Sequence, residues 1–291
     1  MLLRTAKKKL LHTGIRSASR LAPNVTSNLL WRLFCTPLVA SKPTPSQAAQ
    51  LARAERLEVP FGHKKLTVYR WPGNGPVLLA VHGWGGRAHV FGDLIPRLCE
   101  HFTVISFDAP GHGRLGQRTN MMEYSSAIRA VCRNAGPVKA LLGHSFGAFT
   151  AAYTASKLPD LEALALVGAP DRLEYMLDYA QKALSAPDHI RRHLEKRIEK
   201  LSGEPVTEHS TTAYLQRVDC SILFVHDHDD REVPVVRAKS MAARTNAELL
   251  LTKGYGHHRI LTAQEVAEGL SDFFCRQVRP FRQSTRRDNG D

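Results

Sequence analysis

The run Val138-Lys139-Ala140-Leu141-Leu142-Gly143-His144-Ser145-Phe146-Gly147-Ala148 constrains this chain most. An apolar, strand-like stretch empties into Gly-x-Ser-x-Gly and then into a small-residue helical pattern. A serine set between a strand and a helix has to turn so sharply that its own φ/ψ leaves the ordinary regions, and bulky residues two positions to either side would collide. Glycines at 143 and 147 meet that demand. Such a turn lifts Ser145 Oγ above the sheet edge and aims the backbone N–H of Phe146 at the same point. With Gly and Ser each near ~7% of residues, the bare pattern arises by chance in roughly one chain in ten of this length, so its surroundings decide its meaning.

Upstream, Pro76 to Val81 reads as a buried strand that ends in His82-Gly83-Trp84-Gly85-Gly86, a loop whose backbone can fold close to a ligand. Downstream, Ser221 to Val225 reads as another buried strand and is followed by His226-Asp227-His228-Asp229-Asp230-Arg231-Glu232-Val233-Pro234, which puts acids at a strand's C-terminal end. Ala247 to Leu251 then leads to Gly254-Tyr255-Gly256-His257-His258. The chain order is therefore serine, acid, histidine.

These pieces resemble the α/β-hydrolase superfamily, in particular its bacterial serine-hydrolase branch with esterase-like members. The matching segments are HGWGG at 82–86, DAPGHG at 108–113, GHSFGA at 143–148, HDHDDREVP at 226–234 and GYGHHRIL at 254–261, within a resemblance running from about Leu66 to Phe274. It implies an α/β fold: a doubly wound, mostly parallel sheet with an inserted helical cap. The family pattern places its acid four residues before the Pro of a D-x-x-V-P run, which selects Asp230. Many relatives carry Gly where this chain has Asp227, so Asp227 and Asp229 stay open as alternatives.

The chemistry of an ester carbonyl sets the expected roles. A serine hydroxyl needs a base to attack, so His257 would take the proton of Ser145 while Asp230 holds the ring and balances its charge. The backbone N–H groups of Trp84 and Phe146 would receive the oxyanion, with His82, Gly83, Gly143 and Gly147 supporting the geometry. His258 is the competing base. Asp108 reads as a turn cap, His112 as a loop histidine, and His144 as a residue that lines the pocket or packs beneath it.

No cofactor is called for, and no Cys/His spacing suggests a metal. Five cysteines at 35, 99, 132, 220 and 275 read as small buried hydrophobes in a reducing, cytoplasmic setting. The net charge of +13 would suggest nucleic acid if it were spread over the chain. It is not. Residues 1–54 hold nine Lys/Arg and no acid, 276–291 hold five Arg and two Asp, and 55–275 hold 26 basic against 25 acidic residues. Nucleic acid is thus excluded as a partner. The expected partner is a small-molecule ester, with weak contact of the basic ends to an anionic membrane surface or an acidic carrier protein.

The expected organisation is a basic N-terminal helical arm (1–54), a catalytic domain (55–275) with a cap at about 171–218, and a basic tail (276–291). Strands are expected at 66–70, 76–81, before Asp108, and at 138–143, 161–167, 221–225 and 247–251, with helices at 124–133 and 147–158. In the cap, Leu173, Met176, Leu177 and Ala180 share one helical face; in the arm, Leu29, Leu30, Leu33 and Phe34 do. The N-terminus lacks the apolar run of a secretory signal and has the basic, acid-free composition of a transit peptide, but the apolar face favours a packed arm. Two other functions use the same scaffold: an acyltransferase or thioesterase, and a noncatalytic binding protein. An aspartate-dependent dehalogenase or epoxide hydrolase is excluded by Ser145.

Overall fold

A computed structural model describes residues 13–112 and 117–279. Residues 1–12 of the expected arm, with Arg4, Lys7, Lys8 and Lys9, and residues 280–291 of the expected 276–291 tail lie outside that range. Eight strands form one sheet: β1 (Glu55–Phe61), β2 (Lys64–Trp71), β3 (Val77–Val81), β4 (Thr103–Phe107), β5 (Val138–His144), β6 (Ala163–Val167), β7 (Ser221–Asp227) and β8 (Glu248–Thr252). Their spatial order is β1-β2-β4-β3-β5-β6-β7-β8. The pairings from β4 through β8 are parallel, and those of β2 with β1 and with β4 are antiparallel.

The parallel strands are apolar at successive positions because both faces of the sheet are covered. Leu79, Val81, Leu141, Leu164 and Phe224 point into one core, and Leu78, Ala80, Leu142, Ala165 and Val225 into the other. The helices that cover them follow from the strand-to-helix alternation. They are α1 (Pro23–Phe34), α2 (Pro45–Ala52), α3 (Met121–Ala135), α4 (Phe146–Ala155), α5 (Leu173–Leu184), α6 (Asp188–Ser202), α7 (Thr211–Leu215), α8 (Val235–Thr245) and α9 (Gln264–Gln277). Asn120 caps α3, its side-chain oxygen accepting from the N–H groups of Met122 and Glu123. Helices α5 to α7 are inserted between β6 and β7, with Leu173 and Leu177 buried.

Three details differ from the sequence reading. Strand β1 was not expected, since only Val59 of its seven residues is buried; an edge strand with one covered residue carries little periodic signal. In α1, Leu30 is buried but Leu29 is 56% exposed, so the arm's inner face runs through Thr26, Ser27 and Leu30. Cys275 is exposed and Cys99, Cys132 and Cys220 are half-buried; Cys35 alone is fully buried, which pushes its thiol up to about 12.

Candidate active site

Ser145 stands between the end of β5 and the start of α4 with φ 54° and ψ −123°, outside the regions open to an ordinary L-residue. Its N–H donates to the Val167 carbonyl (2.9 Å), which pins the turn to the end of β6. A β-carbon at 143 would sit 2.5 Å from Ala148 Cα, and one at 147 would strike the carbonyl oxygens of Val81 and His82. Only glycine lets the turn close this tightly. Phe146 opens α4, so its N–H has no acceptor within the helix.

The structure brings Ser145, His257 and Asp230 together. His257 Nε2 lies 2.8 Å from Ser145 Oγ, and His257 Nδ1 lies 2.7 Å from Asp230 Oδ2. Asp230 Oδ1 accepts from the N–H groups of Glu232 and Val233 (2.8 Å each), so the carboxylate cannot rotate away. Burial alone would raise its carboxyl. The bond to His257 and the two amides outweigh that and hold it below the usual carboxylate range. His257 is itself buried. His144 packs beneath it, with Nε2 donating to the His257 carbonyl (2.9 Å). His258 turns outward with 71% of its side chain exposed and pairs with Glu232 (2.9 Å), so it does not meet Ser145.

The neighbouring acids have a different task. Asp227 accepts from Thr252 Oγ1 and from the amides of Asp229, Tyr255 and Gly256, at 2.7 to 3.1 Å. Asp229 accepts from the amide of Gly254 (3.0 Å). Both therefore hold the turn that carries His257 rather than touching its ring.

The 82–86 loop packs against the serine, with Gly83 beside Ser145 Cβ. His82 Nδ1 donates to the Gly83 carbonyl (2.8 Å) and its Nε2 accepts from the Ala109 amide (3.0 Å). His112 holds the loop from the other side. Its Nδ1 donates to Pro110 O (3.0 Å), which leaves Nε2 free to accept from the Gly85 amide (3.0 Å) and from the Tyr124 hydroxyl (3.2 Å). Gly86 N–H donates back to Gly83 O (3.0 Å). The sequence reading treated His112 as a plain loop histidine. The only signal for its role was its place in DAPGHG, and the contact that defines the role spans 27 residues. Asp108 likewise does not cap its own turn: it accepts from the Ala88 amide (3.0 Å), starting the helical turn at Ala88–Phe91.

The inserted helices are joined to this framework. Arg237 Nη1 donates to both oxygens of Asp171 (2.6 Å each), and its guanidinium lies 3.9 Å from the Tyr175 ring centre. The Tyr175 hydroxyl donates to the Glu232 carbonyl (2.6 Å). Helix α5 is thereby tied to the loop of Asp230.

Burial lowers His82 well below the ordinary histidine range, His112 to about 4 and His144 to about 3. In the unfolded chain each would take a proton near its usual value of about 6.5. Protons then bind the unfolded state preferentially below that pH, so stability is full above it and falls on acidification. His112 and His144 each cost about 2 kcal/mol at pH 5 relative to pH 8, and His82 adds to the loss in the same direction. A Tm on the order of 10 °C lower at pH 5 is expected. Melting scans at the two pH values check it, and an unchanged Tm contradicts burial in the neutral form.

Comparison with known proteins agrees with this architecture. Residues 76–202 match the family model described as alpha/beta hydrolase fold. The chain is 28% identical over 243 residues to the pimeloyl-[acyl-carrier protein] methyl ester esterase of Xanthomonas campestris pv. campestris (strain B100), covering 69% of this chain and 96% of that protein. The crystal structure of the esterase Pf2001 from Pyrococcus furiosus superposes with a TM-score of 0.63 at 19% identity, over 84% of this chain and 98% of that one. Est1E from Butyrivibrio proteoclasticus gives 0.59 at 17% identity, over 76% and 98%. The two structures speak for the fold. The family match over residues 76–202, the eight-stranded mostly parallel sheet and the turn at Ser145 together give the chain the α/β-hydrolase fold.

Proposed function

We propose that the protein is a serine hydrolase that cleaves carboxylic esters through an acyl-enzyme on Ser145. The observation that carries this reading is the continuous line Ser145 Oγ, His257 Nε2, His257 Nδ1, Asp230 Oδ2, with both contacts below 3 Å. The His257 Nδ1–H donates to Asp230, which leaves Nε2 to accept the serine proton as Oγ attacks the carbonyl carbon. The N–H groups of Trp84 and Phe146 receive the oxyanion, a contribution of about 3–4 kcal/mol per donor. Gly85 and Gly86 have spent their own amides on His112 and Gly83, which keeps the loop from relaxing as charge develops. The imidazolium then protonates the departing alkoxide. Water, activated by the same histidine, attacks the acyl carbon and releases the acid.

A panel of p-nitrophenyl esters from short to long acyl chains tests the reading. Turnover is expected for at least one chain length. Inactivity on the whole panel would overturn it.

One observation favours a second reading. The Xanthomonas relative acts on the methyl ester of a carrier-bound acyl group, and this chain spans 96% of its length. In that reading the ester sits on an acyl chain presented by an acidic carrier protein that meets the basic exterior. Hydrolysis of a carrier-bound methyl ester much faster than of the free acid's methyl ester would select it.

A further inference from the structure

Five of the nine large apolar side chains left exposed among the described residues fall within the arm: Leu21, Val25, Leu29, Leu38 and Val39, from 56% to 86% exposed. All five fall within the stretch Leu21 to Val39, so exposed apolar side chains are concentrated in one segment of the chain. Arg16, Arg20, Arg32 and Lys42 are exposed in the same segment, and residues 1–54 contain no acid. Val25, Leu29 and Arg32 recur at helical spacing along α1, opposite the buried Thr26, Ser27 and Leu30.

The arm is fastened to both sides of the site. Its following segment crosses the 82–86 loop: Ser41 N–H donates to the Gly85 carbonyl (2.8 Å), Ser41 Oγ donates to His89 Nε2 (3.2 Å), and the Val39 carbonyl lies against Gly85. Helix α1 packs on α6 of the insertion, where Arg197 bonds Asn28 and lies over the Trp31 ring. The exposed apolar residues therefore stand on a segment held against the loop beside Ser145.

We infer that residues 13–44 form a docking face for anionic phospholipid membranes and that the ester reaches Ser145 from the bilayer surface. The second half rests on the ester-hydrolase reading above; the first does not. Protruding aliphatic side chains mixed with arginines, and no acid, suit the headgroup boundary, where apolar groups sink in and each Lys or Arg gains from the negative surface. An acidic protein partner would use the arginines. It would need a matching groove for each protruding aliphatic, whereas a fluid bilayer supplies that space anywhere.

The test is co-sedimentation of the full chain with phosphatidylcholine vesicles, with and without 30% phosphatidylglycerol, and p-nitrophenyl acetate hydrolysis measured alongside. Wild type is expected to bind the anionic vesicles at least tenfold more tightly than the neutral ones. The triple variant Val25→Gln, Leu29→Gln, Leu38→Gln should lose at least tenfold of that binding while keeping its Tm and its rate on the soluble ester. Arg16→Gln with Arg20→Gln should lose roughly 10- to 30-fold, since each cation contributes about 1 kcal/mol. Absence of vesicle binding by wild type overturns the proposal, as does a triple variant that binds like wild type. Capture of an acidic acyl carrier protein without vesicle binding overturns it too and makes the arm a protein-docking surface. Vesicle binding without hydrolysis of any ester would leave the docking face standing and defeat only the ester reading.

Discussion

Ser145→Ala and His257→Ala should each lower kcat on a soluble ester by about 10⁴- to 10⁶-fold, with the double variant hardly worse than either single. The reason is geometric. Oγ and Nε2 are 2.8 Å apart, and in the proposed mechanism they form one proton-transfer unit, so removing either member should remove the step. Neither change should lower Tm much: Ser145→Ala keeps the backbone bond to Val167, and the turn is held by the glycines around it. His258→Ala should cost little activity, because that ring faces solvent and Glu232. Steady-state kinetics on the four variants decides the base. Loss of turnover in His258→Ala with retention in His257→Ala would reverse the assignment.

Asp230→Asn and Asp227→Asn should fail in different ways. An asparagine at 230 can keep Oδ1 on the Glu232 and Val233 amides, but its NH₂ then faces His257 Nδ1 in place of Oδ2. Nδ1 must accept, so the ring proton moves to Nε2 and confronts the serine hydroxyl, and kcat should fall by about 10⁴-fold with Tm little changed. At 227 all four bonds are received from donors. An NH₂ there meets N–H or O–H groups on either side, leaving buried donors unpaired at about 1–3 kcal/mol each. Asp227→Asn should therefore show first as a lower Tm, with activity lost through displacement of the 253–257 turn. Kinetics and melting curves measured on both variants separate the two. Equal, modest activity losses with unchanged Tm in both would refute the division of labour.

Much of this was legible in the chain because the relevant signals are local. The apolar runs that became β3, β5, β6 and β7 are buried on both faces, and a strand buried twice writes its position into consecutive residues. The turn at Ser145 is legible for the same reason, since its glycines answer to clashes within five residues. Three acids within four positions are chemically alike, however, so only the fold tells which one meets the histidine. The acceptor role of His112 and the crossing of Ser41 over Gly85 depend on partners 27 and 44 residues away, and no pattern in the sequence encodes such pairs. The exposure of Leu29 was misread because helical spacing defines a face without saying where its edge falls.

The central claim is that Ser145 is the nucleophile, and one measurement addresses it without knowledge of the natural ester. Incubation with a fluorophosphonate, followed by intact mass and peptide mapping, should show one adduct per chain on Ser145. The Ser145→Ala variant should take none, and His257→Ala should react far more slowly, since the same base activates the same oxygen. A wild-type protein that takes no adduct, or takes it on a residue other than Ser145, would contradict the account.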